Sequence, residues 1–353
     1  MDAKAQRNRS RRRRPAVMSD VGRLAGVSHQ TVSRVINGSP HVREETRQRV
    51  IAAMRELDYH PNSMARALVT GRSSTLGVVS FDTTLYGPAS TLFGIERAAH
   101  DAGYFIIVAS LKALDRESID DAIERLRLHG VDGILVIAPM RESAEALLHV
   151  HAGGGIPLVA VEAGPDASVP VVAVDQDAGA AMATEHLLGL GHATVWHIAG
   201  PSDFVEARQR LDGWRRTLHE ASLHIPEPLE GDWSAHAGYE LGQRLVREPD
   251  VTAVFVANDQ MALGALRALH EAGRRIPADL SIVGFDDIPE SPYFTPPLTT
   301  IRQDFNELGS RGVRLLLATM EAGERLDPGP AVPPELIIRS STGAPPQNPA
   351  RRH

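Results

Sequence analysis

Residues 20–37, Asp-Val-Gly-Arg-Leu-Ala-Gly-Val-Ser-His-Gln-Thr-Val-Ser-Arg-Val-Ile-Asn, restrict the fold of this chain more than any other stretch. They read as two short helices joined by a tight turn. Val21 and Leu24 give the first helix an apolar side, and Ala25 ends it. Gly26 falls where the chain must reverse, a conformation glycine reaches without a Cβ clash. Ser28 suits the N-cap of the second helix. Val32, Val35 and Ile36 place its apolar face inward at i, i+3, i+4 spacing. His29, Gln30, Ser33, Arg34 and Asn37 are left facing out. Gln and Arg near the N-terminus of an exposed helix can form paired hydrogen bonds to base edges in a major groove. An ordinary helical hairpin with a polar face is the alternative. The run Gly-Val-Ser-x-x-Thr-Val-Ser-Arg-Val-Ile-Asn is more specific than that.

This run resembles the DNA-binding head of the lactose-repressor (LacI/GalR) family of bacterial transcription regulators. The resemblance implies DNA contacts from Ser28, His29, Gln30, Thr31, Ser33, Arg34 and Asn37. The sequence departs from the family pattern at three head positions. Val17 replaces a threonine N-cap, Gly22 replaces a mid-helix alanine, and His29 replaces a tyrosine at the first reading position. A third helix is expected over 44–57, with Glu44 and Glu45 in its first turn, where negative charge suits the helix dipole. In 61–74 the resemblance implies a hinge helix whose Leu68, with Ala65 on the same side, wedges into the minor groove. Apolar wedges of that kind unstack a base step and bend the duplex.

Charge divides the chain. Residues 1–70 hold 14 arginines and lysines against 6 acids, whereas the whole chain carries a net charge of −7. A basic head on an acidic body points to a polyanionic partner for the head alone. Residues 1–16, with four consecutive arginines, are too polar to fold and are expected to be a disordered tail, adding at most salt-sensitive phosphate attraction. With no cysteine there is no disulfide framework and no thiolate chemistry. No apolar run is long enough to span a bilayer, and the N-terminus lacks a signal peptide's apolar region. A cytoplasmic, nucleoid-associated protein without a membrane partner is expected.

Residues 75–340 alternate short apolar runs with amphipathic stretches. Strands are expected over 76–81, 104–109, 133–138 and 157–162, with helices over 95–103, 119–128 and 144–151. The pattern then restarts, with strands over 193–199, 251–257 and 280–285 and helices over 207–221, 235–247 and 260–272. The fold class is α/β: an all-α helix-turn-helix head, then a two-lobed, periplasmic-binding-protein-like core of Rossmann-like parallel sheets. The expected domains are the tail at 1–16, the head at 17–60, the hinge helix and linker at 61–74 and the ligand-binding core at 75–340. Within the core, the N-lobe takes about 75–173 plus 303–323 and the C-lobe about 174–302 plus 330–340. A disordered tail follows at 341–353. No G-x-G-x-x-G or Walker motif follows a strand, which argues against a nucleotide enzyme.

Polar residues gather after the expected strands: Asp82, Glu162, Arg208, Asn258-Asp259 and Asp286-Asp287, with Trp233 in a loop that opens a helix. Taken singly, each fits a surface or capping role. Their shared position at strand ends fits recognition of sugar hydroxyls by charge-assisted hydrogen bonds, with an indole face against a pyranose ring. Here the family resemblance deepens through Ala-Gly-Pro, Ala207-Arg208, Gly213-Trp214, Gly-Asp-Trp-Ser-Ala, Val-Ala-Asn-Asp-Gln-Met-Ala-Leu-Gly-Ala and Pro-Pro-Leu-Thr-Thr-Ile-Arg-Gln-Asp-Phe. It implies that Arg208, Asn258 and Asp286 bond the sugar, that Trp233, Gln303 and Phe305 line the pocket with Glu162, and that Leu85 and Pro88 form an apolar wall; Asp82 is a ligand candidate from its place after the first strand. Phe81 and Ile137 stand where the pattern has small polar residues, which implies a bulkier or differently linked galactoside, or another glycoside.

A glycosidase using Glu162, Asp286 and Asp287 is the enzymatic alternative. The family has no catalysis, so no enzyme, cofactor or metal is expected. The histidines lack metal-ligand spacing. The expected function is a repressor of carbohydrate-utilisation genes that binds palindromic double-stranded operator DNA as a homodimer and is released by a small-molecule sugar effector. Two rivals are a regulator whose ligand acts as co-repressor and a transporter's sugar-binding protein.

Overall fold

The computed structural model describes residues 16–36, 39–59, 72–81, 84–111, 115–140, 155–164, 169–248 and 250–346. The chain divides into two compact units, Met1–Ser73 and Ser74–His353.

In the first unit, α1 (Met18–Ala25), α2 (His29–Ile36) and α3 (Glu44–Glu56) surround a core of Val21, Ala25, Val32, Val35, Val50 and Ala53. Valine at position 17 supplies no capping side chain. Asp20 compensates by accepting from the Val17 backbone N–H at 3.1 Å, half of a capping box. Gly26 ends α1 with φ +67°. Gly22 is not the idle mid-helix glycine that its sequence position suggests. A Cβ there would lie 2.9 Å from the Val27 carbonyl oxygen, so the turn closes against bare backbone. Leu24, expected on the apolar side, is instead 46% exposed.

The second unit holds two parallel sheets. The first has the order β2 (Phe105–Leu111), β1 (Thr75–Phe81), β3 (Gly133–Ile137), β4 (Leu158–Val161) and β5 (Val171–Val172). Val78 sits in register between Val108 and Leu135. Helices α4 (Tyr86–Asp101) and α5 (Arg116–Leu128) connect its early strands. The second sheet runs β11 (Glu335–Ile337), β10 (Thr299–Arg302), β9 (Ser281–Asp286), β8 (Ala253–Val256), β6 (Trp196–Ala199) and β7 (Leu229–Glu230). Only β11 pairs antiparallel, with β10. Helices α6 (Gln176–Gly189), α7 (Val205–Glu220), α8 (Ala235–Val246) and α9 (Asp259–Glu271) cover it.

Each sheet has its second strand outside its first, so the strand order reverses beside β1 and again beside β6. The crevice at such a reversal, past the carboxyl ends of the strands, is where open α/β sheets bind ligands. Both faces of each sheet are buried. Val78, Ile95, Leu135, Val159 and Leu316 pack on one side of the first, and Val79, Ile119, Ile123, Leu126 and Val136 on the other. This explains the continuous apolar runs seen in the sequence.

After β10 the chain crosses back to the first sheet as α10 (Phe305–Ala322), which packs against α4. Two glycines allow the contact. A Cβ on Gly94 would lie 2.2 Å from the Phe305 carbonyl oxygen, and one on Gly309 would lie 2.3 Å from the Gly94 carbonyl carbon. The helix expected over 144–151 lies outside the described residues.

Candidate functional site

The cleft between the two sheets encloses about 320 Å3. Its centre is Arg210 on α7, which is 3% exposed. Arg210 Nε donates to Gln176 Oε1 at 2.9 Å, Gln176 Nε2 to Gln303 Oε1 at 2.8 Å, and Gln303 Nε2 to Asp286 Oδ1 at 2.6 Å. The loop closes with Arg210 Nη2 at 3.7 Å from Asp286 Oδ1. The guanidinium lies over the Phe285 ring, 3.8 Å from its centroid, and 5.6 Å from that of Trp233. Such stacking suits arginine's planar, weakly hydrated charge.

Three buried carboxyls share the cleft with this one guanidinium, and the exposed Asp232 also lines it. Burial pushes Asp286 up to about 6, although Arg210 and Gln303 pull the other way. Burial likewise raises Glu162 to about 7, against the Val174 N–H and Arg210, and Glu206 to about 8, against Arg210. Removing a carboxylate from water penalises its charge, and one cation cannot offset three such penalties.

Backbone strain recurs here. Glu162, Trp233 and Asp286 have φ of +59°, +73° and +105°. Non-glycine residues held in such conformations cluster at ligand sites, where the surrounding structure compensates the cost. Trp233 is fixed by Phe204, edge-on at 5.6 Å, and by Gly200, where a Cβ would come within 2.2 Å of the indole. Asn258 both caps α9, accepting from Met261 N at 2.9 Å, and donates to the Trp233 carbonyl at 3.0 Å. From the first lobe come Leu85, Pro88, Thr91 and Ile137, with Tyr86 edge-on to Phe305 at 5.8 Å.

Of the residues the sequence nominated, the fold brings Leu85, Pro88, Glu162, Trp233, Asn258, Asp286, Gln303 and Phe305 to this cleft. Arg208 is not among them. It is exposed and donates from Nε to the Ser202 carbonyl at 2.7 Å. Two helical positions turn the side chain by about 200°, so Arg210 faces the cleft and Arg208 faces away. The spacing Ala207, Arg210, Trp214 on the buried side of α7 was the available signal. Gln176, Glu206 and Gln260 also line the cleft and were not nominated. Asp287 turns aside to Arg302 and Arg339, at 2.7 and 2.6 Å, and so leaves the carboxylate pairing weighed for a glycosidase. Asp259 is buried behind the cleft, accepting from Ile288 N, Ser291 Oγ and Thr300 Oγ1. Asp82 lies outside the described residues.

On the head, Ser28 Oγ accepts from Thr31 N at 3.2 Å, as an N-cap should. His29, Gln30 and Arg34 are exposed on α2, and Thr31 and Ser33 are half-buried. Asn37, Ala65 and Leu68 lie outside the described residues. Among the described residues no acidic, histidine or cysteine cluster suits a metal ion, and no helix is long and apolar enough to cross a membrane.

Comparison with known proteins gives a consistent result. Residues 17–62 match the model for bacterial regulatory proteins of the lacI family, and 184–342 match that for a periplasmic binding protein-like domain. The lactose operon repressor of Escherichia coli is 36% identical over 333 residues, covering 94% of this chain and 92% of the relative. The transcriptional repressor PurR of Haemophilus influenzae is 35% identical, covering 92% of this chain and 98% of that protein. Among solved structures, the lac repressor dimer bound to operator and an anti-inducer superimposes with a TM-score of 0.85 at 36% identity. That match covers 94% of this chain and all of the other.

Proposed function

The chain belongs to the lacI family of bacterial regulatory proteins, and on that premise we propose that it is a transcriptional repressor of carbohydrate-utilisation genes, released from a palindromic operator by a glycoside. One observation carries the reading. A single chain joins a helix with exposed Gln30 and Arg34 to a cleft built from Arg210, Asp286, Gln303, Asn258 and Trp233. The relatives are repressors, not enzymes.

In this reading two copies associate, as the lac repressor does, and place two α2 helices in adjacent major grooves. Gln30 and Arg34 read base edges, with His29 beside them, and Ser28, Thr31, Ser33 and Asn37 add backbone and base contacts. Leu68 and Ala65 dock in the minor groove at the operator centre. The sugar's hydroxyls bond the Arg210–Asp286–Gln303 group while its C–H face packs on Trp233. Residues from both sheets line the cleft, so a bound sugar favours one relative placement of the lobes. A preference of a few kcal/mol for the placement that does not bind operator is enough to shift the population.

The test is operator binding titrated with a panel of glycosides and purines. Glycosides should weaken it. Tightening by a purine would instead make the protein a co-repressed regulator. Asp286→Asn retains the shape and the Gln303 contact but loses the charge, and should abolish release. Full release by sugar in that variant would mean the cleft is not the effector site.

A further inference from the structure

The carboxyl at the centre of the cleft stands on a strained dipeptide. Asp286 and Asp287 have φ of +105° and +51° in succession. Positive φ is costly for a residue with a Cβ, and it persists only where the surroundings over-determine it. Asp286 is the last residue of β9 and lies in register with Arg302 of β10. Neighbouring residues at these two strand ends take separate partners. Gln303 Nε2 donates to Asp286 Oδ1 at 2.6 Å, within the cleft. Arg302 Nε donates to Asp287 Oδ2 at 2.7 Å, and Arg339 Nη2 donates to Asp287 Oδ1 at 2.6 Å. Asp287, Arg302 and Arg339 are not among the residues that line the cleft.

Each oxygen of Asp287 is thus taken by a different arginine, and the Asp287 side chain is only 7% exposed. Charge-assisted bonds are about twice as strong as neutral ones. Arg339 is also the better anchored and better shielded arginine. Its side chain is 15% exposed, against 47% for Arg302. Its Nη1 donates to the Leu298 carbonyl at 2.7 Å, and its backbone N–H donates to Thr299 Oγ1 at 2.9 Å. The segment after β11 that carries it is held in turn. Ser340 N–H donates to the Pro297 carbonyl at 3.0 Å, and Ser341 Oγ donates to the Ile282 carbonyl at 2.6 Å. Beyond the dipeptide, Ile288 N–H donates to Asp259 Oδ2 at 3.0 Å.

Resting on the reading that Asp286 binds the effector, we propose that Arg339, with Arg302, is a positioning residue. By gripping Asp287 it holds the 286–287 backbone at positive φ and so aims the Asp286 carboxyl into the cleft. The last segment of the core, remote in sequence from every effector contact, then sets the geometry of the site without touching the effector.

Calorimetric titration of the full chain with nitrophenyl galactoside, lactose and cellobiose tests this. Arg339→Gln and Asp287→Ala should each weaken glycoside binding at least about tenfold, while thermal unfolding shows that each variant is folded. Combined, they should lose little more than either alone, because both break the same grip. Asp287→Gly should bind several-fold more tightly than Asp287→Ala, since glycine reaches positive φ without being held there. Hydrogen exchange followed by mass spectrometry should show faster exchange over 284–290 in Arg339→Gln and unchanged exchange over 253–256. Wild-type affinity in both single variants overturns the proposal. So do losses that multiply in the double variant, a glycine variant no better than alanine, and exchange that quickens evenly across the core, which would make the arginine a general stabiliser. If none of the glycosides binds the wild-type protein, the sugar reading fails, and the exchange pattern alone decides whether the grip exists.

Discussion

Arg208 and Arg210 show how finely a site residue must be placed. Both are arginines on α7, and both follow a motif that points to ligand binding, yet only one faces the cleft. The motif is legible in the sequence, but the side of the helix becomes so only when its periodicity is counted against Ala207 and Trp214. Glu206 had no such signal. Its neighbours became evident only when the first and second sheets came together, a contact that no local spacing encodes. Gly200 makes a sharper case, because its whole role is the absence of a side chain beside Trp233. Gly200→Ala should displace the indole and destabilise the core by about 1–3 kcal/mol, as overpacking does. Urea unfolding measures the loss. Sugar titration should show weakened binding beyond what the stability change explains, since the ring face is no longer presented to the ligand.

At the level of elements, most of the two sheets could be read from apolar runs, and the head from caps and spacing. Two helices could not. α6 carries alanine, glycine and leucine on nearly all sides, with buried positions at 179, 180, 181, 183, 184 and 187. Its exposed side carries Met182 and Gly189 beside Glu185, so polar residues do not set off the buried stripe and periodicity fails. α10 follows a second-sheet strand and packs on the first sheet; the expected N-lobe takes in 303–323, yet no helix is expected there. α2 is the opposite case, a short helix whose inward valines leave the reading face unambiguous. Arg34→Ala should cost about 1–3 kcal/mol of operator binding and relax base choice at one position. Selection of preferred sites from a random DNA pool measures this. An equal loss on all sequences would make Arg34 a phosphate contact instead.

For the molecule as a whole, protonation links the cleft to stability. Folding raises Asp286 to about 6, Glu162 and Asp259 to about 7 and Glu206 to about 8. In the unfolded chain these carboxyls titrate near 4. The folded state therefore holds protons that the unfolded state has released. The associated stability is complete below pH 4 and is lost as pH rises through 6 to 8. Buried His197, held down to about 3, works in the opposite sense, but only below its unfolded value near 6.5. Between pH 6.5 and 8.5 the carboxyls act alone, so the Tm of the core should fall across that interval. Glu206→Gln should flatten the slope in scanning calorimetry. A Tm that is constant or rising there would show that the cleft carboxyls stay ionised.

Helices α4 and α10 each begin at the cleft, with Tyr86 and Phe305, and then meet backbone to backbone at Gly94 and Gly309. With no side chain between them, neither can slide or tilt far without the other. The cleft residues of the second lobe, Glu206, Trp233 and Gln260, lie on other elements altogether. An engineer seeking a new trigger for the same switch would recast those three and leave the paired glycines alone, because the chain keeps its vocabulary and its grammar on different helices.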